Sequence, residues 1–177
     1  LLGASADGAR FTDVDGRSYL DWFMAGGPVV LGHRHPRVQA AVEAQLGRGA
    51  NLSLRSPLEI EVAEQLCEAI PGVEQVAFAK NGTDATSGAV RLARAVTGRD
   101  EVLISGYHGF ADWSKGAVAD CTGVPAAVRA LVHEFPCNDA GTARRLLAAR
   151  RDRVAAIVVE PIRHQSLDPA FLPQMRE

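Results

Sequence analysis

Lysine is scarce in this sequence. Of the 19 lysines and arginines among 177 residues, only Lys80 and Lys115 are lysines. Chemistry that requires a lysine amine, such as Schiff-base formation with a carbonyl compound, is therefore restricted to these positions within the chain. The three cysteines, Cys67, Cys121 and Cys137, lie far apart and form no paired motif. This spacing is typical of reduced thiols in a cytosolic protein and excludes a disulfide framework or a cysteine-based zinc site.

An excess of positive charge and long apolar runs are missing as well. The formal net charge is −2 at pH 7, with 47% hydrophobic and 23% charged residues. Such a composition indicates one globular domain or part of a larger one, and it provides no basic footprint for nucleic acid. Because the sequence shows neither a signal peptide nor an apolar stretch long enough to cross a bilayer, we expect a cytoplasmic protein that binds no membrane.

Both ends of the sequence look interrupted. Leu1 is not an initiator residue, and the first eight residues fit no clear element. The last segment, residues 169–177, has helical spacing but no C-terminal cap. We therefore expect a fragment of a longer protein, with sequence missing at both ends.

Short apolar runs alternate with helical patterns along the chain. Residues 10–22 predict a β-hairpin that turns at Asp15-Gly16, and helices are expected to begin at Pro36 and near Pro57. Beyond residue 72 the pattern predicts strands over 75–79, 101–105, 130–135 and 154–160, helices over 84–97, 139–150 and from 169 onward, and an irregular stretch from 106 to about 128. This alternation is typical of an α/β fold with a mostly parallel sheet flanked by helices.

A polar bend separates the apolar run 75–79 from the helix that follows it. Asn81, Gly82 and Thr83 form this bend. The first amides of a helix lack internal partners and carry partial positive charge, so they suit a phosphate. The alternative is that Thr83 or Asp84 only caps the helix. Spacing alone favours this alternative, because the segment is neither a dinucleotide fingerprint nor a Walker motif.

Polar residues also follow two other expected strands. Tyr107 and His108 come after the strand 101–105, and Glu160 ends the strand 154–160. Ligands of open α/β sheets lie beyond the carboxyl ends of strands, where a tyrosine could stack on a planar ring. Ordinary packing of the aromatic–histidine pair and a hydrogen-bonded structural glutamate are the alternatives. Together with the bend, these residues indicate one shared pocket without identifying its ligand.

Six segments, in order along the chain, resemble the class III, pyridoxal-phosphate-dependent aminotransferases, and among them the glutamate-1-semialdehyde aminomutase-like branch. They are FTDVDGRSYLDW, GGPVVLGHRHPRVQAAVEAQL, NGTDATSGAVRLARAVTGRD, GYHGFADW, FPCNDAGTARRLL and IVVEPI. The resemblance covers nearly the whole chain. It implies the first part of a fold-type-I large domain over residues 57–177, truncated at both ends and preceded by an N-terminal hairpin, loop and helix segment over residues 1–56.

The resemblance also implies pyridoxal 5′-phosphate as the cofactor. The implied cofactor-binding residues are Asn81, Gly82, Thr83, Tyr107, His108 and Glu160. The first three would hold the phosphate, the tyrosine would cover one face of the pyridine ring with the histidine beside it, and the glutamate would line the pocket. The implied substrates are a small-molecule amino donor and a carbonyl acceptor, and the complete protein is expected to be a homodimer.

The chain departs from the commonest family pattern at three positions. Serine and glutamate commonly stand where this chain has Asn81 and Asp84, although branch members associated with sugar or polysaccharide pathways resemble the form found here. In the aminomutase an aromatic residue commonly occupies the position of Gly26. This last departure argues against activity on glutamate semialdehyde.

The lysine and the acid that carry out the family's chemistry have no counterpart among the residues of this chain. Pyridoxal chemistry needs a Schiff-base lysine and an acid at the pyridinium nitrogen, and both are expected downstream of residue 177. Because neither Lys80 nor Lys115 matches the catalytic position, the fragment alone is expected to be inactive. The alternatives to an aminotransferase are an intramolecular aminomutase, a non-catalytic truncated relic and a nucleotide-binding α/β domain, the last weakened by the missing Gly-rich fingerprint.

Several other residues carry weaker expectations. His33 and His35 are interpreted as loop and helix-entry residues, because no third metal ligand accompanies them. Asn138-Asp139 is expected to cap the helix that follows it. Arg163 and His164 are candidates for substrate contacts. A basic cluster is expected to be a solvated surface and not a nucleic-acid patch: Arg144, Arg145, Arg150, Arg151 and Arg153.

Overall fold

The computed structural model describes residues 2–117, 121–161 and 166–176. The chain divides into two compact units, residues 1–68 and 69–177. The boundary falls at the end of a helix that begins at Pro57. The division into functional segments at residue 56 stays a prediction.

The first unit contains a three-stranded antiparallel sheet. Its strands are β1 (Gly3–Asp7), β2 (Arg10–Asp13) and β3 (Ser18–Leu20), in the order β1-β2-β3. The hairpin of β2 and β3 confirms the prediction for residues 10–22, with Gly16 at a φ of 81° in its turn. The expectation that the first eight residues form no element is wrong. The GASAD segment lacks the β-branched and aromatic residues that mark strands, and backbone pairing with β2 makes it a strand.

Asp13 ties the hairpin together. Its carboxylate accepts hydrogen bonds from the backbone amides of Asp15 and Arg17 (3.0 and 2.9 Å) and from the hydroxyl of Tyr19 (2.9 Å). The bond to Asp13 raises the pKa of the Tyr19 hydroxyl, because the proton is shared with a carboxylate. The carboxylate is buried yet hydrogen-bonded, as a buried charge requires.

The first unit also carries two helices and an unusual loop. Helices α1 (Pro36–Leu46) and α2 (Pro57–Ala69) begin at the expected prolines. In the preceding loop Met24 and Ala25 adopt positive φ angles of 46° and 56° within a short 3₁₀ turn. Such angles are uncommon for residues other than glycine.

The second unit is an α/β domain around a parallel sheet. Strand β4 (Glu101–Ser105) lies between β5 (Val132–Glu134) and β6 (Val154–Val159). The helices are α3 (Gly82–Thr97), α4 (Asp112–Lys115), α5 (Ala126–Arg129), α6 (Ala140–Ala149) and α7 (Phe171–Arg176). The predicted strands at 101–105, 130–135 and 154–160 and the three predicted helices are confirmed.

The alternation of side chains along β4 creates a core on each face of the sheet. Leu103 packs with Phe135 and Phe171 near α6 and α7. Val102 and Ile104 point the opposite way and pack with residues of α3 and α4, among them Val90 and Trp113. Since all five residues of β4 are buried, the strand is covered on both faces, as parallel sheets require.

The prediction of a strand over residues 75–79 is wrong. The segment is apolar, but it has no ladder partner among the described residues, and 49% of the Phe78 surface is exposed. An apolar run reports a tendency to be buried, whereas a strand also needs a neighbour for its backbone groups. The stretch 106–128 is also less irregular than expected, since it contains the single-turn helices α4 and α5.

A charged cluster closes the amino ends of the parallel strands. The Glu101 carboxylate, 8% exposed, lies 2.9 Å from His133 Nε2, 3.3 Å from Arg150 Nε and 2.9 Å from Arg153 Nη1. Two members of the arginine cluster therefore pair with a buried acid, which corrects the expectation of a purely solvated surface; Arg144, Arg145 and Arg151 are exposed. None of the described helices is long and apolar enough to cross a membrane.

Candidate functional site

Helix α3 begins at an asparagine cap. Asn81 Oδ1 accepts a hydrogen bond from the backbone amide of Asp84 (3.0 Å), and Asn81 Nδ2 donates to the Asp84 carboxylate (3.1 Å). The expectation that Thr83 or Asp84 caps the helix is wrong, because the side-chain oxygen of Asn81 reaches the third helical amide first. This reciprocal pairing fixes the first turn of the helix.

The cap leaves two amides open. The backbone N–H groups of Gly82 and Thr83 have no acceptor within the described part of the chain. A Cβ atom built on Gly82 would meet nothing within 4 Å, so the space beside this residue is open. Open amides at the positive end of a helix, here one of 16 residues, are groups that suit an anion such as a phosphate ester.

The loop after β4 packs directly against this helix. Thr86 Oγ1 donates a hydrogen bond to the carbonyl oxygen of His108 (2.8 Å), and the Phe110 amide donates to Thr83 Oγ1 (3.1 Å). Gly109 permits the approach: its φ is +107°, and a Cβ there would lie 2.6 Å from Thr83 Oγ1. The bend at residues 81–83 and the segment after β4 therefore lie side by side.

Glu160 is hydrogen-bonded to the same loop. Its Oε2 accepts a hydrogen bond of 2.8 Å from the Tyr107 amide, and its own amide bonds to the carbonyl oxygen of Ser105 (2.9 Å). Gly106 makes this possible, because a Cβ there would lie 2.5 Å from the Cβ of Glu160. The structure thus brings the ends of β4 and β6 together, as strand-end reasoning predicts.

Tyr107 and His108 have different surroundings. The tyrosine is 55% exposed, and the ammonium of Lys115 lies 5.8 Å from its ring centroid. The histidine is 7% exposed, with its ring centroid 6.3 Å from that of Trp113. The tyrosine ring is therefore available to a planar ligand, while the histidine supports the loop from the interior.

Sequence reasoning missed four residues that shape this site: Thr86, Ser87, Trp113 and Lys115. The indole N–H of Trp113 donates to Ser87 Oγ (3.0 Å), which anchors α4 to α3. A signal was present, since Thr83, Thr86 and Ser87 are spaced i, i+3 and i+4 and so share one helix face. In contrast, Lys80 is exposed, and Arg163 and His164 lie outside the described residues.

Residues 2–167 match the family described as aminotransferase class III. The chain belongs to this family. Over 173 residues this class III chain is 39% identical to glutamate-1-semialdehyde 2,1-aminomutase of Desulforapulum autotrophicum. The alignment covers 92% of this chain and 40% of the relative. Over 170 residues it is 41% identical to the enzyme of that name from Roseiflexus castenholzii, covering 90% of the chain and 39% of the relative.

Solved structures show the same fold. The class III chain superposes on an omega-transaminase from Sphaerobacter thermophilus with a TM-score of 0.90 at 31% identity, covering 99% of this chain and 45% of that one. A transaminase with PLP bound gives a TM-score of 0.92 at 29% identity, covering 99% and 45%. The partial fold-type-I prediction is confirmed. The class III chain spans about 40% of the length of the curated relatives that it matches.

In the first unit, His33 has a structural partner. Its Nε2 lies 2.7 Å from Asp21 Oδ2. This bond, with those from the backbone amides of Met24 and Phe23, holds the pKa of the Asp21 carboxyl below its usual value. The interaction agrees with the interpretation of His33 as a loop residue.

Proposed function

We propose that the protein transfers an amino group between a small-molecule amino donor and a carbonyl acceptor with pyridoxal 5′-phosphate as its cofactor. One observation carries the proposal. The open amides of Gly82 and Thr83 and the exposed ring of Tyr107 belong to segments that are hydrogen-bonded to each other. An anionic group and a flat heterocycle on one small molecule match this pair of features.

The residues of this chain would bind and orient the cofactor. The amides of Gly82 and Thr83 bind its phosphate, and Asn81 fixes the turn that presents them. Tyr107 covers one face of the ring, and Glu160 holds the tyrosine backbone in place. When bound, the cofactor supplies an electron sink that stabilises negative charge on the substrate carbon.

The lysine and the acid that the cofactor needs are proposed to lie outside this chain. Lys80 is exposed, and the ammonium of Lys115 is placed over the Tyr107 ring. Neither lies in the buried, apolar surroundings that are typical of a catalytic lysine. We infer that this chain by itself binds cofactor without turnover.

A charge placed at the helix start tests the phosphate site. Gly82→Asp puts a carboxylate in front of the open amides, whereas Gly88→Asp makes the same change on the same helix, also in open space. In the whole protein, as its gene encodes it, Gly82→Asp should raise the Kd for pyridoxal phosphate at least tenfold, about 1.4 kcal/mol. Gly88→Asp should bind like the wild type. Equal affinities for Gly82→Asp and Gly88→Asp would refute the phosphate role.

The second candidate function is an intramolecular aminomutase. The curated relatives at about 40% identity carry that name. Supplying an amino donor together with a separate carbonyl acceptor distinguishes the two functions. A transferase converts both compounds, whereas a mutase rearranges one compound with no second substrate.

The complete protein is further proposed to be a cytoplasmic homodimer. On α1 the apolar side chains of Val38, Val42 and Leu46 are 49%, 52% and 60% exposed within the described chain. Exposed apolar stripes of this kind mark association surfaces. Sedimentation equilibrium on the complete protein should give twice the mass of one chain, and Val42→Asp should shift it toward the monomer. A wild-type monomer would exclude this part of the proposal.

A further inference from the structure

Helix α3 holds the loop after β4 through three hydroxyl groups, which we call the hydroxyl clasp: Thr83, Thr86 and Ser87. The three residues lie on one helix face, with Thr86 and Ser87 one turn beyond Thr83. Each meets a different point of the loop: the amide of Phe110, the carbonyl of His108 and the indole N–H of Trp113. The clasp thus spans residues 108–113.

The clasp acts at buried positions. His108 and Trp113 are 7% and 8% exposed. If Thr86 loses its hydroxyl, the carbonyl oxygen of His108 loses its hydrogen bond from the helix and is left poorly hydrated, which costs more than the bond contributes when intact. The clasp is therefore a strong constraint on where the loop lies.

Tyr107 lies between two fixed points. On one side Ser105 ends the buried strand β4, and on the other His108 is held by Thr86. Gly106 between them and Gly109 directly after them, at φ angles of +95° and +107°, have backbone conformations that other residues rarely adopt. Fixing His108 therefore also limits the positions open to the tyrosine ring.

We propose that Thr86 and Ser87 are positioning residues for cofactor binding. The helix that offers the phosphate amides in its first turn also sets, through its second turn, how far the Tyr107 ring lies from them. The distance between the phosphate site and the ring site is therefore fixed before the cofactor arrives, and preorganisation of this kind raises affinity. This inference rests on the proposed function and assigns it two further residues.

The test uses variants that separate the hydroxyl from the shape of the side chain. Thr86→Val keeps the shape and removes the hydroxyl, and Thr86→Ser keeps the hydroxyl. Thr97→Val is the matched control, because the Thr97 hydroxyl donates to the Ala93 carbonyl within the same helix and accepts from the Arg99 amide, and neither partner belongs to the loop after β4. The readouts are the Kd of the whole apoprotein for pyridoxal phosphate and the inhibition constant of inorganic phosphate as its competitor.

If Thr86 sets the distance between the phosphate site and the Tyr107 ring, its substitution should affect the binding of these two ligands differently. Thr86→Val should raise the Kd for pyridoxal phosphate about tenfold, while inorganic phosphate, which touches only the amides, should bind as in the wild type. Thr86→Ser and Thr97→Val should bind pyridoxal phosphate like the wild type. In a Tyr107→Ala background the effect of Thr86→Val should disappear, because the two residues act as one unit.

Other results overturn the inference. Wild-type affinity of Thr86→Val for pyridoxal phosphate, or an equal loss for both ligands, would show that the clasp only supports the fold. If Thr86→Val does not fold, Ser87→Ala, which removes only the hydroxyl that Trp113 contacts, takes its place with the same expectations. A wild-type protein that binds neither ligand would instead overturn the proposed function itself.

Discussion

The amide of Tyr107 donates a 2.8 Å hydrogen bond to Oε2 of Glu160. This bond joins the loop after β4 to the end of β6, and it is possible only because Gly106 has no side chain. The Glu160 carboxylate thus sets the backbone from which the tyrosine ring projects. Glu160, expected from the sequence to line a pocket, therefore also fixes the backbone of the loop that carries Tyr107.

Replacing Glu160 should separate its role as an acceptor from its charge. Glu160→Ala leaves the Tyr107 amide without this acceptor and should raise the Kd for pyridoxal phosphate about fivefold. Glu160→Gln keeps an acceptor oxygen at the same length of side chain and should have a much smaller effect. Cofactor titration of both variants checks this. Equal losses in both would mean that the negative charge, and not the hydrogen bond, is what matters.

Gly109→Ala should destabilise the second unit. The new methyl group would lie 2.6 Å from Thr83 Oγ1, on a backbone at a φ of +107°. Gly123→Ala is the matched control, because Gly123 also has a positive φ of +84° but open space around it. Backbone strain alone costs about 1–3 kcal/mol, so Gly109→Ala should lose more unfolding free energy than the control in urea titrations. Equal losses would contradict the close approach.

Lys115 should tune the site without forming the covalent bond to the cofactor. Its ammonium lies 5.8 Å from the Tyr107 ring centroid, a contact worth about 0.5–1 kcal/mol at an exposed ring. Lys115→Met should therefore change the Kd for pyridoxal phosphate by only a few-fold, and Lys80→Ala should not change it. A Schiff-base absorbance band on the 177-residue chain that disappears in Lys80→Ala would contradict the assignment of both lysines.

The cap of α6 should give the stability of the protein a pH dependence. Hydrogen bonds from the Thr142 hydroxyl (2.6 Å) and amide (2.8 Å) hold the pKa of Asp139 below its usual value. A lowered folded-state pKa contributes stability above the unfolded-state value of about 3.9. That contribution is lost as the pH falls through the folded-state pKa.

Asp139→Ala should accordingly melt at a lower temperature than the wild type at pH 7, and this difference should shrink as the pH falls below about 3.9. Thermal melts across this range measure it. Asp152→Ala is the control, because Asp152 is exposed and its carboxylate has no hydrogen bond within the described residues. A difference that stays constant with pH would show that the charge of the cap does not matter.

The sequence predicts most of the second unit because its signals are local. Proline and glycine mark the helix ends, and the apolar run at residues 101–105 is long enough to identify the central strand. The position of the candidate site follows from a rule about strand ends, applied to Tyr107 and Glu160. These features need no knowledge of which distant residues meet.

The features that sequence reasoning missed all depend on contacts between residues that are distant in the sequence. The segment 75–79 has the composition of a strand, but pairing decides whether it is one. The cap of α3 depended on whether Asn81 or Thr83 reaches the free amide first. The spacing of Thr86 and Ser87 from Thr83 places all three hydroxyls on one helix face, but the sequence does not show which loop that face contacts.

The partners of Glu101 follow it by 32 to 52 positions, at His133, Arg150 and Arg153. During synthesis the chain emerges from the amino end, so the glutamate leaves the ribosome well before the groups that neutralise it. A lone carboxylate resists burial. The groups that neutralise Glu101 are therefore complete only once Arg153 has been translated, directly before strand β6. Burial of the Glu101 carboxylate is thereby coupled to the arrival of the third strand of the parallel sheet.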